Sequence, residues 1–170
     1  AVTEKGFYQP GDIKFLCDLA KPQIGIITNI GMVHASRAGS QEAIARGKSE
    51  LVQSLPDAPE GVAILNYDDP WVKPMAELTK ARVLFYGLDP QAHLWADRIE
   101  SAGLDGISFR AHYNGETYNL SVPLIGQHSV QTALRAIAAG LVLNLSWGEI
   151  VLGLQRSRNQ LRLVTVHTEQ

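Results

Sequence analysis

The sequence predicts an α/β protein, with a mostly parallel sheet, helices on both faces and an antiparallel meander at one edge. The first half alternates short apolar runs with segments of helical periodicity, which is typical of parallel strands joined by crossover helices. The second half alternates polar and apolar residues in three runs separated by turn sequences, which indicates antiparallel strands. Parallel sheets of this kind bind ligands at the carboxyl ends of their strands.

The elements of the first half begin with a short strand predicted from Val2 to Glu4. Asp12 is placed to cap a helix that Pro22 ends. The apolar run from Ile24 to Thr28 predicts a strand that is covered on both faces. A loop then leads to Ser40, which is placed to cap a helix predicted from Gln41 to Leu55. After it we predict a strand at Val62 to Leu65, a helix at Pro70 to Thr79 and a strand at Val83 to Tyr86.

The second half predicts three antiparallel strands and two helices. The strands are predicted at Leu94 to Ile99, Ile107 to Tyr113 and Tyr118 to Val122, with a hairpin turn at Asn114-Gly115. A helix from Ser129 to Leu143 carries one apolar stripe. Ser146 and Glu149 form a capping box ahead of a second helix. The chain begins and ends inside predicted strands, the last of them from Leu161 to Val166, so we expect a fragment of a longer protein.

Composition is that of an ordinary globular protein. The 170 residues are 45% hydrophobic and 19% charged, with a net charge of -2. Basic residues are scattered and no apolar run is long enough to span a bilayer, so we expect no nucleic acid partner and no membrane partner. The single cysteine, Cys17, excludes an internal disulfide and is predicted to be buried. We expect a cytoplasmic protein.

Three residues on separate elements are candidates for chemistry. Glu4 ends the first predicted strand, His34 lies in the loop after the most apolar strand, and Lys48 lies on the following helix. Each residue taken singly has an ordinary explanation as a solvated carboxylate, a loop histidine or an exposed lysine. In a doubly wound sheet the first two belong to the same ligand-binding edge.

Several short segments resemble motifs of the central domain of the Mur ligase family and occur in the same order. Together they span essentially the whole chain. The segments of the first half are Glu4-Lys5-Gly6, Gln9-Pro10-Gly11-Asp12-Ile13, Thr28-Asn29-Ile30-Gly31, His34, Gly39-Ser40 and Lys48-Ser49-Glu50-Leu51. Two later segments also match, Leu65-Asn66-Tyr67-Asp68-Asp69-Pro70 after the next strand and Gly126-Gln127-His128-Ser129-Val130 at a helix start.

The resemblance implies an ATP-dependent amide ligase that works through an acyl phosphate and needs Mg²⁺. The residues of these motifs are similar to those of the branch that adds D-alanyl-D-alanine to UDP-N-acetylmuramoyl-tripeptide in peptidoglycan synthesis. We expect the full enzyme to be a monomer. Glu4 and His34 match the metal-side residues of the family, and Lys48 matches a lysine that carbon dioxide converts to a carbamate. Carbamate formation requires an uncharged amine, hence a lysine pKa below its usual value of about 10.4. An exposed, unmodified Lys48 is the alternative.

The resemblance also assigns nucleotide-binding residues, at Asn29, His128, Ser129, Thr132 and Arg162. Ser129 and Thr132 stand where the family usually has two asparagines that face the adenine, so neither offers the paired donor and acceptor of an amide. Asn29 has turn formation as an equally good explanation.

The Asn66, Asp68 and Asp69 group looks like a metal cluster, but a turn and a helix cap explain it better. Ser40 is likewise explained better as a cap than as a substrate contact.

No Gly-x-x-x-x-Gly-Lys-[Ser/Thr] phosphate loop occurs in the chain, and the resemblance places that loop upstream. It implies a partial ATP-binding central domain at residues 1–160 and the start of a linker to a missing C-terminal domain at residues 161–170. We therefore expect the fragment alone to be inactive. The alternatives are another branch (a different muramoyl-peptide ligase, a folylpolyglutamate synthase or a cyanophycin synthetase) or a non-catalytic binding module.

Overall fold

A single sheet organises the computed structural model, which describes residues 2–4, 9–31 and 40–156. Its six strands are Ile24–Ile27 (β1), Val62–Asn66 (β2), Arg82–Gly87 (β3), Leu94–Ser101 (β4), Ile107–Tyr113 (β5) and Glu116–Val122 (β6). They lie in the order β1-β2-β3-β4-β5-β6. Pairs from β1 to β4 are parallel, and β4, β5 and β6 are antiparallel. This arrangement confirms the predicted fold class.

In the described residues four α-helices accompany the sheet, at Asp12–Ala20 (α1), Gln41–Gln53 (α2), Ser129–Val142 (α3) and Trp147–Arg156 (α4). Short 3-10 helices occupy Lys73–Leu78 and Gly103–Asp105. None of the helices in the described part of the chain combines the length and the apolar character needed to cross a bilayer.

The sheet separates two apolar clusters, which is why helices are needed on both faces. One face of β2 to β6 packs against α3 and α4, with fully buried side chains that include Ile64, Tyr86, Leu94, Leu134 and Ile137. The opposite face of β1 and β2 packs against α2 and the first 3-10 helix, through Ala63, Leu65, Val52, Val72 and Met75. Cys17 is buried on α1, as predicted.

Two of the predicted helix caps are confirmed. The Ser40 Oγ atom accepts a hydrogen bond from the Ala43 N–H at 3.1 Å and so begins α2. The Ser146 N–H donates to Glu149 Oε2 at 2.8 Å, while Ser146 Oγ lies 3.4 Å from the Glu149 N–H. Hydrogen bonds from the Ser146 side chain and backbone lower the pKa of the Glu149 carboxyl.

Two predictions about the start of the chain are wrong. Residues 2–4 form no strand, because a strand requires a ladder partner and none of the described strands runs beside them. The strand predicted at Ile24 is not covered on both faces, since Gly25 and Ile27 on one face are buried whereas Ile26 on the other is 39% exposed.

The helix predicted from Pro70 to Thr79 is also wrong in type. It is a turn followed by a 3-10 helix, because Pro74 lacks the N–H group that would donate to the Pro70 carbonyl oxygen in an α-helix. The strand predicted from Leu161 to Val166 lies outside the described residues.

The start of α1 is held by a residue on another helix. Gly11, which has no side chain, occupies the N-cap position with a φ of 94°, and Asp12, predicted as the cap, is instead the first helical residue. The Glu50 carboxylate on α2 accepts hydrogen bonds from the Gly11 N–H at 2.7 Å and the Lys14 N–H at 3.0 Å. Glu50 therefore supplies the cap that the local sequence lacks.

Replacing Glu50 with alanine is expected to lower the free energy of unfolding by about 1–3 kcal/mol, because two N–H donors lose a charged acceptor. Chemical denaturation of the 170-residue chain measures this, with Glu60→Ala in an exposed turn as the matched control. Equal midpoints for the two variants would show that α1 does not depend on Glu50.

Candidate functional site

The candidate site is the carboxyl edge of the parallel strands, meaning the loops that follow β1, β2 and β3. In residues 28–31, the part of the loop after β1 that the structure describes, Asn29 and Ile30 form three hydrogen bonds with other elements. Lys48 Nζ donates to the Asn29 carbonyl oxygen at 3.0 Å. Gln41 Nε2 donates to the Ile30 carbonyl oxygen at 2.8 Å, and the Ile30 N–H donates to Asp69 Oδ2 at 2.8 Å.

Lys48 is a titratable residue at this edge whose surroundings change its pKa. Its side chain lies half-buried on α2, where Ala45, Gly47 and Ser49 are buried. Burial lowers the pKa of the Lys48 ammonium, and the nearby Asp69 carboxylate partly opposes that shift. The uncharged amine is therefore more populated than in an exposed lysine, and this is the form that carbon dioxide can modify.

The acidic residues after β2 serve as turn and cap residues, which agrees with the interpretation preferred from the sequence. Asn66 Oδ1 accepts from the Asp68 N–H at 3.0 Å. Asp69 Oδ1 accepts from the Trp71 and Val72 N–H groups at 2.8 and 3.1 Å. Asp68 accepts from backbone N–H groups of the loop after β3. Backbone donors thus engage the oxygens that could otherwise bind a cation.

The first turn of α3 lies at the same edge, since Gln131 reaches Asp68. Ser129 Oγ donates to the Ile125 carbonyl oxygen at 2.6 Å, and Thr132 Oγ1 accepts from Arg135 Nη2 at 2.7 Å. The His128 side chain is exposed immediately before the helix. Both hydroxyls are partly committed to their own segment, so each keeps only part of its hydrogen-bonding capacity for a ligand.

The structure brings together some of the predicted site residues and leaves others apart. Lys48 and Asn29 are in direct contact. Glu4 is exposed and has no hydrogen bond or ion pair with another described residue. His34 and Arg162 lie outside the described residues.

Nothing in residues 2–4, 9–31 and 40–156 forms a group of three or more His, Cys, Asp or Glu side chains suited to a metal ion. Of the three residues predicted to hold the metal, Lys48 and Glu4 are described and form no hydrogen bond or ion pair with each other, whereas His34 lies outside the described residues.

Three positions at this edge carry contacts that the sequence reasoning did not anticipate. Gln41 and Asp69 both bind Ile30, and Gln131 binds Asp68. Their partners lie 11, 39 and 63 residues away in the chain. Residue type and local periodicity carry no information on such distant pairs, so only the fold could reveal them.

Comparison with known proteins gives consistent matches along the chain. The family model of the Mur ligase middle domain matches residues 1–140. The UDP-N-acetylmuramoyl-tripeptide--D-alanyl-D-alanine ligase of Mycobacterium tuberculosis is 33% identical over 168 residues, which are 96% of this chain and 32% of that protein. The ligase of the same name from Synechocystis is 36% identical over 156 residues, or 91% of this chain and 31% of that protein. The chain thus spans about a third of the length of these relatives.

Solved structures agree with the sequence matches. A crystal structure of MurF from Acinetobacter baumannii superposes with a TM-score of 0.80 at 28% identity, over 89% of this chain and 32% of that one. A MurF ligase from Thermotoga maritima in complex with ADP superposes with a TM-score of 0.72 at 19% identity, over 92% of this chain and 34% of that one. The second likeness concerns the fold alone.

Proposed function

Because the chain belongs to the Mur ligase middle-domain family, we propose that it is the nucleotide-binding central part of an ATP-dependent amide ligase. The proposed reaction joins D-alanyl-D-alanine to UDP-N-acetylmuramoyl-tripeptide in peptidoglycan synthesis. Relatives that carry this activity in their names are 33% and 36% identical to almost the entire chain. Residues 1–160 are part of the central domain, and residues 161–170 begin the linker to a further domain.

The proposed chemistry proceeds in two steps. The substrate carboxylate takes the γ-phosphoryl group of ATP, which leaves ADP and an acyl phosphate. The amine of D-alanyl-D-alanine then attacks the acyl carbon, the phosphate leaves, and the amine loses a proton. Bound Mg²⁺ supplies the positive charge that lets the ATP phosphates approach the carboxylate. Glu4, His34 and the carbamate of Lys48 are the residues that we propose to hold it.

The observation that carries this proposal is the position of Lys48. It lies half-buried at the carboxyl edge, in contact with the loop after β1, and burial lowers the pKa of its amine. A protonated lysine would repel a magnesium ion, whereas a carbamate offers two anionic oxygens of the kind that Mg²⁺ prefers.

Nucleotide binding is proposed at Asn29, His128, Ser129, Thr132 and Arg162. The hydrogen-bonding capacity that the Ser129 and Thr132 hydroxyls retain supports the part of this proposal that concerns adenine. Ser129 donates to Ile125 and so keeps its lone pairs, whereas Thr132 accepts from Arg135 and so keeps its proton. One acceptor beside one donor complements the amino group and ring nitrogen on the edge of an adenine.

The full-length enzyme is proposed to act in the cytoplasm as a monomer, with ATP, Mg²⁺ and the two substrates as its only required partners. Neither a nucleic acid nor a membrane takes part in the proposed reaction. The scattered charge that the sequence shows supports this choice.

Phosphate release by the full-length protein tests the proposal. We expect release only when ATP, Mg²⁺, UDP-N-acetylmuramoyl-tripeptide and D-alanyl-D-alanine are all present, and none from the 170-residue chain alone. Reactions with UDP-N-acetylmuramate and L-alanine, or with a folate and glutamate, test the other ligase branches. Turnover with one of those pairs instead would reject the substrate assignment, and nucleotide binding without any turnover would indicate a binding module.

A further inference from the structure

Asp68 joins three segments at the carboxyl edge through one carboxylate. Its Oδ2 atom accepts hydrogen bonds from the Leu88 N–H at 2.7 Å and from Gln131 Nε2 at 2.6 Å. Its Oδ1 atom accepts from the Asp89 N–H at 3.1 Å. The loop after β2 is thereby tied both to the loop after β3 and to the first turn of α3.

The Asp68 carboxylate lies so close to Gly87, at the end of β3, that no larger residue fits at that position. A Cβ atom at Gly87 would lie 2.6 Å from Asp68 Oδ1, so a side chain there would displace the carboxylate. Gln131 Oε1 is buried and has no hydrogen-bond partner among the described residues. The Gln131 amide is therefore held by its donor side alone, and Asp68 is the partner that decides its position.

Gln131 lies in the first turn of α3 between Ser129 and Thr132, the two residues proposed to face adenine. On the other side, Asp69 binds the Ile30 N–H in the loop whose Asn29 carbonyl oxygen accepts from Lys48. A continuous series of contacts thus runs from Lys48 through the two aspartates to the start of α3. The adjacent Asp68 and Asp69 connect the two ends of the proposed nucleotide site.

We propose that Asp68 and Gln131 are positioning residues that hold the adenine end of the nucleotide site at a fixed distance from Lys48, an inference that rests on the proposed function. In this proposal Asp68 and Gln131 act through Ser129 and Thr132 and make no contact of their own with ATP or the other substrates. Their effect is to keep the first turn of α3 in the place where Ser129 and Thr132 meet the base. Loss of the contact therefore weakens ATP binding and leaves the chemical step intact.

Steady-state kinetics of the full-length enzyme test this inference. In Gln131→Ala we expect the KM for ATP to rise about tenfold, as for loss of one hydrogen bond to a charged group. The kcat and the KM for D-alanyl-D-alanine are expected to stay within about twofold of the wild type. Gln131→Glu is expected to be worse than alanine, because two carboxylates would face each other. Gln131→Lys is expected to recover the wild-type KM, because its ammonium can donate to Asp68.

Gln155→Ala, in an exposed residue of α4, is the matched control and is expected to change neither constant. Amide exchange in the first turn of α3 gives a second measurement on the same variants, with faster exchange expected for alanine and glutamate and not for lysine. An unchanged KM for ATP in Gln131→Ala and Gln131→Glu overturns the positioning role while the proposed function stands. A wild-type enzyme without ATP-dependent ligation overturns the proposed function and this inference together.

Discussion

Replacing Lys48 with alanine is expected to reduce the ligation rate of the full-length enzyme by about a hundredfold to a thousandfold, the range typical of losing one preorganised electrostatic group. The physical reason is the loss of the group proposed to become an anion beside the metal ion. Its hydrogen bond to the Asn29 carbonyl oxygen also disappears, which removes one of the three described hydrogen bonds that hold Asn29 and Ile30. Coupled measurement of ADP release gives the rate.

Two further variants separate the chemical role of Lys48 from its structural role. Lys48→Arg keeps a cation that can donate to the Asn29 carbonyl oxygen, but its guanidinium stays charged and forms no carbamate. We therefore expect it to be as inactive as alanine. Lys80→Ala removes an exposed lysine and is expected to behave as the wild type. Activity of Lys48→Arg close to that of the wild type would exclude the carbamate role.

Replacing Gly61 with alanine is expected to lower the free energy of unfolding by about 3 kcal/mol or more, at the severe end of overpacking substitutions. Gly61 is buried just before β2, and its Cβ atom would lie 1.8 Å from the Pro56 carbonyl oxygen. That neighbour is backbone, so no side-chain rotation can relieve the clash. Because the Gly61 carbonyl oxygen accepts from the Arg82 N–H at 2.9 Å, any backbone shift also disturbs the pairing of β2 with β3.

Gly153→Ala provides the same chemical change in open space. Gly153 is a residue of α4, and no heavy atom lies within 4 Å of its added Cβ. Alanine is the better helix former, so we expect the free energy of unfolding to rise by about 0.5–1 kcal/mol. Denaturant titrations of the 170-residue chain compare the two variants. A Gly61→Ala chain as stable as Gly153→Ala would mean that the turn from Pro56 to Gly61 differs from the structure described above.

The sequence pattern predicts those elements whose structure is decided by a few neighbouring residues. The run Val62 to Leu65 predicts a buried strand because a short, continuous apolar run between turn sequences is typical of a strand covered on both faces, and each of the four residues is buried. The Asn114-Gly115 turn was predictable because both residues adopt positive φ, of 51° and 81°, which this pair tolerates well. The two serine caps followed from chemistry that extends over only three residues.

Long-range partners limited what the sequence could reveal. Residues 2–4 were predicted as a strand from their pattern, but no described strand pairs with them. Pro74 decides the conformation of its segment through its missing N–H group, against a helical pattern that included it. Glu50 and Gln131 bind residues 39 and 63 positions away, and such pairings follow from the fold and not from spacing.

The central claim is that Glu4, His34 and Lys48 meet at one edge to manage the charge of a metal ion beside ATP. A crystal structure of the full-length protein with Mn²⁺ and a non-hydrolysable ATP analogue tests it most directly, because anomalous scattering locates the metal independently of the protein density. We expect the Mn²⁺ ion within about 2–3 Å of oxygen or nitrogen atoms from Glu4, His34 and a carbamylated Lys48. Side chains of these three residues on different sides of the molecule, with the metal held elsewhere, would contradict the claim.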